Sequence, residues 1–214
     1  MKKINAVVFD MDGVLLDTET ICDRTWYKVA EERKISNIHK AMQSCRGMNK
    51  ADSYITLKKL YGEDFDVEGF MQRTSELFHE IETTEGINLM PYVKEALEYL
   101  KPRYRIILAS STRGPVVKRQ LADADLINYF ETLTTGDMVT HSKPHPEIYL
   151  MACKSIGEKP ENCVAIEDSP NGIKSAFSAG LKTIMIPDKI QPDEEITKLC
   201  WKITDSLQKI EEIL

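Results

Sequence analysis

Long apolar runs are missing from this chain. Nothing in it approaches the roughly eighteen uninterrupted apolar residues of a membrane span, and no membrane partner is expected. A C-x-x-C spacing is missing as well. The five cysteines (Cys22, Cys45, Cys153, Cys163, Cys200) are odd in number and scattered, which points to reduced thiols in a cytoplasmic protein, most of them packing residues. There is no basic excess either: the net charge is −6, so no nucleic-acid footprint is expected. The nearest approach to a basic patch, Arg113, Lys118 and Arg119, reads as a solvated helix face. Met1-Lys2-Lys3 leads straight into a strand-like run without a small-residue cleavage site, so no signal peptide is expected. Repeats, low-complexity segments and signs of an obligate protein partner are absent too.

What is present suffices for a sizeable core. The chain has 214 residues, 42% hydrophobic and 29% charged, room for one large domain or two modest ones. Strand-like runs recur at 4–10, 104–110, 163–167 and 182–186. Helical periodicity separates them: Val93, Ala96, Leu97 and Leu100 share one face, as do Ile148, Tyr149, Ala152, Cys153 and Ile156. Ser169-Pro170 supplies an N-cap and a first-turn proline, Ile173, Ala176 and Phe177 a buried stripe, and Gly180 a stop. Apolar strands alternating with helices predict an α/β fold, a parallel sheet covered on both faces.

Residues 18–85 break this rhythm. They hold no convincing strand, only amphipathic helices, the clearest running through Phe70, Thr74, Leu77, Phe78 and Ile81. Asn49 and Asp52 have capping-box spacing. The segment reads as an all-helical domain inserted after the first strand, with joints near Asp17–Thr20 and Thr83–Pro91.

Ligands of open parallel sheets bind beyond the carboxyl ends of the strands. Those ends carry Asp10 and Asp12 in "FDMDG", then Ser110-Ser111-Thr112, then Glu167-Asp168; Lys143-Pro144 lies in a loop after "ETLTTGDMVTHS". Carboxylates gathered on one rim need a cation, because each like-charge pair at about 4 Å costs on the order of 4 kcal/mol at an effective dielectric of 20. A hard divalent ion removes that cost, and all-oxygen ligation favours magnesium. Hydroxyls and a lysine suit the oxygens of a phosphate. The acid pair then divides the work: one carboxylate attacks phosphorus, and the other protonates the leaving oxygen and later activates water.

Phe9-Asp10-Met11-Asp12-Gly13-Val14, Leu16-Asp17-Thr18-Glu19, Ala109-Ser110-Ser111, Lys143-Pro144-His145-Pro146 and Glu167-Asp168-Ser169-Pro170-Asn171-Gly172 together resemble the haloacid dehalogenase superfamily. The nearest subgroup is that of the β-phosphoglucomutase-like phosphatases. The resemblance implies a Rossmann-like core, residues 1–17 and 86–214, with a helical cap over 18–85. It implies Asp10 as nucleophile, Asp12 as acid/base, Ser110 as phosphate binder with Ser111 beside it on the substrate, and Lys143 as charge neutraliser. Magnesium would be held by Asp10, the backbone carbonyl of Asp12 and Asp168, with Glu167 assisting. Asp12 sharpens the class, because the dehalogenases lack an acid there and P-type ATPases carry threonine.

The cap is expected to move as a unit on its two joints. Arg46, Gly47 and Lys50, in "CRGMNKADS", are the candidate substrate contacts on it. Elsewhere packing readings hold. Pro144 between His141 and His145 speaks against a zinc-binding helix. Trp26 and Phe70 read as cap core, and Cys22 as a packed thiol that could also face the substrate.

Three functions fit: hydrolase of a small phosphorylated metabolite, sugar phosphomutase, or a silent phospho-ligand binder. The last is disfavoured because no reacting residue is missing. Against the mutase stand Cys22 where the β-phosphoglucomutases place a histidine, Lys50 in place of their cap-loop arginine, and "SSTRGP", which lacks their phosphate-binding asparagine. A magnesium-dependent phosphatase acting on a sugar or polyol phosphate is therefore expected.

Overall fold

The computed structural model describes residues 3–46 and 50–214. In chain order they form β1 (Ala6–Phe9), then helices α1 (Thr18–Glu32), α2 (Ile38–Cys45), α3 (Lys50–Tyr61) and α4 (Val67–Glu85). There follow α5 (Val93–Leu100), β2 (Arg105–Ser110), α6 (Gly114–Asp123), β3 (Thr132–Thr135), α7 (Glu147–Ser155) and β4 (Cys163–Glu167). The chain ends with α8 (Pro170–Ser178), β5 (Lys182–Met185), α9 (Glu194–Leu199), β6 (Lys202–Ile203) and α10 (Ile210–Ile213). Two compact units result, Met1–Asp17 with Asn88–Leu214, and Thr18–Ile87.

In the first unit the strands pair in the order β3-β2-β1-β4-β5-β6, every neighbour parallel. Ala6-Val7-Val8-Phe9 is wholly buried because it lies between β2 and β4 with side chains covered on both faces. Ala6 and Val8 pack with Ile148, Tyr149, Ala152 and Ala176 from α7 and α8. Phe9, on the alternate face, meets Phe130 edge-to-face. The architecture is α/β and Rossmann-like.

Two strands lie where the sequence suggested none. Within "ETLTTGDMVTHS", residues 132–135 form β3, which pairs with β2 at the edge of the sheet. An edge strand needs no continuous apolar run, and three β-branched threonines satisfy it. β6, at the opposite edge, is two residues long and exposed on both. Helix α8 corrects the stripe assigned to it. The Ser169 side chain accepts from the Gly172 N–H, and Gly180 has φ +90°, but Phe177 is 48% exposed. Ile173 and Ala176 are buried as the stripe requires, Gly172 and Ser175 complete the buried arc, and Phe177 lies off its edge.

The second unit holds α1 to α4 and, among the described residues, no strand. Trp26 meets Phe70 edge-to-face at 5.0 Å within a core that includes Val29, Met42, Leu57 and Leu77. Phe70, Thr74 and Leu77 of α4 are buried, and Asp66 caps its first turn through the Gly69 N–H. Asn49 and Gly47 lie outside the described residues.

The first unit's segments that lead to residues 18–87 and back from them run side by side. Leu16 bridges Leu89, Asp17 N–H donates to Asn88 O (2.9 Å), and Met90 N–H donates to Leu15 O (2.9 Å). Among the described residues no helix is long and apolar enough to cross a membrane.

Candidate active site

From β1 the chain turns towards β2 and β3 on one side of the sheet and towards β4 to β6 on the other. The crevice therefore opens where β1 and β4 meet. Asp10 is fixed there, its N–H donating to Ile166 O of β4 (3.0 Å). The turn beyond it is tight: Met11 O accepts from the N–H groups of Leu15 and Leu16, and Gly13 N–H donates to Leu16 O. Gly13 has φ +78°, and a Cβ there would stand 2.5 Å from Asp168 Oδ2. Only glycine satisfies both the left-handed backbone and the approach of that carboxylate.

Lys143 is the hub of the site. Its Nζ lies 2.6 Å from Asp10 Oδ1, 2.6 Å from Glu167 Oε1 and 3.1 Å from Ala109 O. The side chain is 8% exposed, between two carboxylates that are more buried still or nearly so. Glu167, at the end of β4, is fully buried. Its Oε1 also accepts from the Tyr149 hydroxyl (2.7 Å), and its Oε2 from the Ser169 hydroxyl and the N–H groups of Asp168 and Ser169. Gly172 gives it room, since a Cβ at that position would overlap the carboxylate.

Asp12 is held differently. Its Oδ2 accepts from the Thr112 hydroxyl (2.9 Å) and lies 3.5 Å from Ser110 Oγ. Ser110 is fully buried, and its Oγ accepts from Thr112 N–H. Of the four carboxylates expected on one rim, three gather: Asp10, Glu167 and Asp168 each offer an oxygen within 4.8 Å of the others. Asp12 stands with the hydroxyls at the end of β2, and its side chain is not part of that set.

The electrostatics follow from burial. Asp10 is pushed up to about 8, first by desolvation and then by Glu167 and Asp12, with Lys143 opposing. Desolvation works against the charge on Lys143, yet Asp10 and Glu167 outweigh it and hold the ammonium above its usual range. Burial, then the charge on Glu167, pushes the Tyr149 phenol up. One ammonium does not neutralise this many acids. The donors at the gathered set are all carboxylate oxygens, which suit a hard divalent cation of the magnesium class.

Ser111 is exposed. Arg46 forks onto Asp23 (2.7 Å to each oxygen) and reaches Glu19 (3.2 Å), all within the helical unit. Gly47 lies outside the described residues, and Lys50 opens α3. Cys22 lines a cavity of about 200 Å³ in that unit with Glu19, Asp23, Trp26, Arg46 and Ser53. Two neighbours of the core site were not singled out from the sequence. Tyr149 reads there as one more apolar position of α7, although a buried tyrosine needs a partner for its hydroxyl. Thr112 is read only as part of a run of hydroxyls.

The family description "haloacid dehalogenase-like hydrolase" matches residues 4–180. The chain belongs to that family. A "Phosphorylated carbohydrates phosphatase" of Thermotoga maritima is 34% identical over 85% of this chain and 84% of its own length. "Hexitol phosphatase B" of Escherichia coli (strain K12) is 28% identical over 87% of this chain and 85% of its own. Among solved structures, a beta-phosphoglucomutase from Clostridium difficile superimposes with a TM-score of 0.77 at 24% identity, over 98% of this chain and 95% of that one, a likeness of fold. Within the haloacid dehalogenase-like hydrolases, this chain is a phosphoric monoester hydrolase.

Proposed function

We propose that the protein is a magnesium-dependent phosphatase of small sugar or polyol phosphates, acting through a phosphorylated Asp10. One observation carries the reading: Lys143 ties Asp10 to Glu167 at 2.6 Å each, while Asp12, two residues on, is held by Thr112 instead. One acid is thus fixed and charge-compensated, and the other is oriented by hydroxyls.

In the first step an oxygen of Asp10 bonds to phosphorus as the ester P–O bond breaks, and Asp12 gives its proton to the departing oxygen. In the second, Asp12 takes a proton from water, the water oxygen bonds to phosphorus, and Asp10 is released with inorganic phosphate. Lys143 and the hydroxyl of Ser110 face the phosphoryl oxygens, with Ser111 beside them. Thr112 keeps Asp12 aimed in both steps. Asp10, Asp168, Glu167 and the Asp12 carbonyl would hold the magnesium ion. When bound, it supplies positive charge against the carboxylates and the phosphoryl group.

Substrate selection is assigned to residues 18–85, a cap on the core of residues 1–17 and 86–214, with Arg46, Gly47 and Lys50 as contacts. The Arg46 charge is already matched by Asp23 and Glu19, which suits sugar hydroxyls better than a second phosphate. The carbohydrate and hexitol phosphatases among its relatives support the substrate class.

A phosphate-release screen over sugar, polyol, glycolate and nucleotide phosphates tests this. Turnover is expected on sugar or polyol esters, lost in EDTA and restored by magnesium. Activity that persists in the chelator, or returns with zinc alone, overturns it. With β-glucose 1-phosphate and glucose 1,6-bisphosphate, phosphate release should outpace formation of glucose 6-phosphate; the reverse makes the protein a mutase.

A further inference from the structure

The loop that carries Lys143 also presents a cluster that the reaction does not use. Pro144 prevents a helix there, so His141 and His145 do not share a helical face. A turn brings them together instead. His145 N–H donates to Ser142 O (3.0 Å), and the two imidazole centroids stand 4.5 Å apart at an interplanar angle of 35°. Glu147 completes the group, its Oε2 2.9 Å from His141 Nδ1 and 3.8 Å from His145 Nδ1. One donor atom from each of the three lies within 4.8 Å of the other two.

The cluster is braced by backbone. Glu147 Oε1 accepts from Thr140 N–H (2.9 Å), and Oε2 accepts from His141 N–H (3.0 Å). His145 O accepts from the hydroxyl of Ser175 (2.6 Å), which is fully buried in α8. The backbone amides of Thr140 and His141 fix the Glu147 carboxylate in place. The histidine side chains are 62% and 51% exposed, leaving a path for an ion and room for water in the remaining positions.

We propose that His141, His145 and Glu147 form a second metal site, taking a transition-metal dication of the zinc class with water completing its coordination. Two imidazoles and one carboxylate are a donor set of structurally known catalytic-type zinc sites, and the ring nitrogens favour zinc, cobalt or nickel over magnesium. The cluster of Asp10, Glu167 and Asp168 offers oxygen alone. The molecule therefore sorts two kinds of cation between two sites. An ion here ties residue 141 to residues 145 and 147 across Lys143. The loop then gains a fixed closure outside the reaction centre.

The test uses full-length, tag-free protein in saturating magnesium, with zinc delivered against a chromogenic chelator. One zinc per chain should bind. His141→Ala and His145→Ala should each weaken binding at least about tenfold, the scale on which even supporting residues of metal sites act. Circular dichroism should show both variants folded. Asp168→Asn should bind zinc as the parent does. Cobalt should give a visible d–d spectrum without a thiolate charge-transfer band. No zinc retained in magnesium, equal affinity in the His141→Ala/His145→Ala double variant, or a thiolate band placing the ion on a cysteine overturns the proposal.

Discussion

The phenol of Tyr149 donates to Glu167 Oε1 at 2.7 Å, where neither residue reaches solvent. The same oxygen receives the Lys143 ammonium, which also lies 5.1 Å above the Tyr149 ring. Tyr149 is therefore expected to position the Glu167 carboxylate. Tyr149→Phe should cost about 1.5–3 kcal/mol, the range for a buried hydrogen bond to a charged group. It should also raise the magnesium concentration needed for half-maximal activity. Urea unfolding and a magnesium titration of turnover measure the two effects; an unchanged titration would make the tyrosine a packing residue only.

Asp10→Asn should abolish turnover, because an amide neither attacks phosphorus nor ligates a hard cation well. Asp12→Ala should spare magnesium binding, since its proposed ligand is the backbone carbonyl, yet cripple departure of the leaving group. Acid quench and mass spectrometry should find phosphate on Asp10 during turnover. Phosphate on a serine or histidine contradicts the mechanism.

Lys143→Met should both inactivate and destabilise. Removing one member of a buried ion pair costs about 3–5 kcal/mol, because the partner charge stays behind. Here Asp10 and Glu167 are both left. Adding Asp10→Asn should recover part of the lost stability and none of the activity. Additive losses in the double variant would show that the two side chains are not coupled.

Acid should expose a separate contribution from Asp137. Its carboxylate accepts from the Thr135 hydroxyl (2.7 Å) and from the Gly114 N–H (2.8 Å) that opens α6, and these bonds hold it below its usual value of 3.8. In the window below 3.8 the unfolded chain binds the proton first, so stability rises with pH there. The advantage over Asp137→Ala should be complete above that window and shrink as pH falls through the lowered folded value. Thermal unfolding across the acid range measures it. A gap that stays constant with pH would assign the residue's effect to packing.

The apolar strands were legible because burial on both faces leaves a continuous run, as in Ala6-Val7-Val8-Phe9. Thr132–Thr135 was not, because an edge strand carries no such signature. Asp10 and Glu167 stood out because charged groups at strand ends have few structural uses, and Lys143 because a lysine in the adjoining loop suits phosphate oxygens. Tyr149 did not, because its ring obeys the same helical period as its apolar neighbours and only its hydroxyl departs from it. The proximity of His141 and His145 depends on a turn rather than a helix, so i, i+4 counting gave the spacing and missed the reason. Phe177 misled in the opposite direction. Its position fits the stripe, but the helix presses Gly172, Ile173, Ser175 and Ala176 onto the core, and at Gly172 the Glu167 carboxylate leaves no room for a side chain.

The side-by-side segments at Leu16 and Leu89 give the molecule a modular character. Asp17 and Asn88 are hydrogen-bonded neighbours, so for the sheet unit the whole of residues 18–87 amounts to the loop of a hairpin. For flexible inserts the entropy of closing that gap grows only logarithmically with length. Everything that Asp10 needs from Lys143, Glu167 and Asp168 is made on the near side of this doorway. Replacing residues 18–87 at this junction should therefore leave the reacting groups in register.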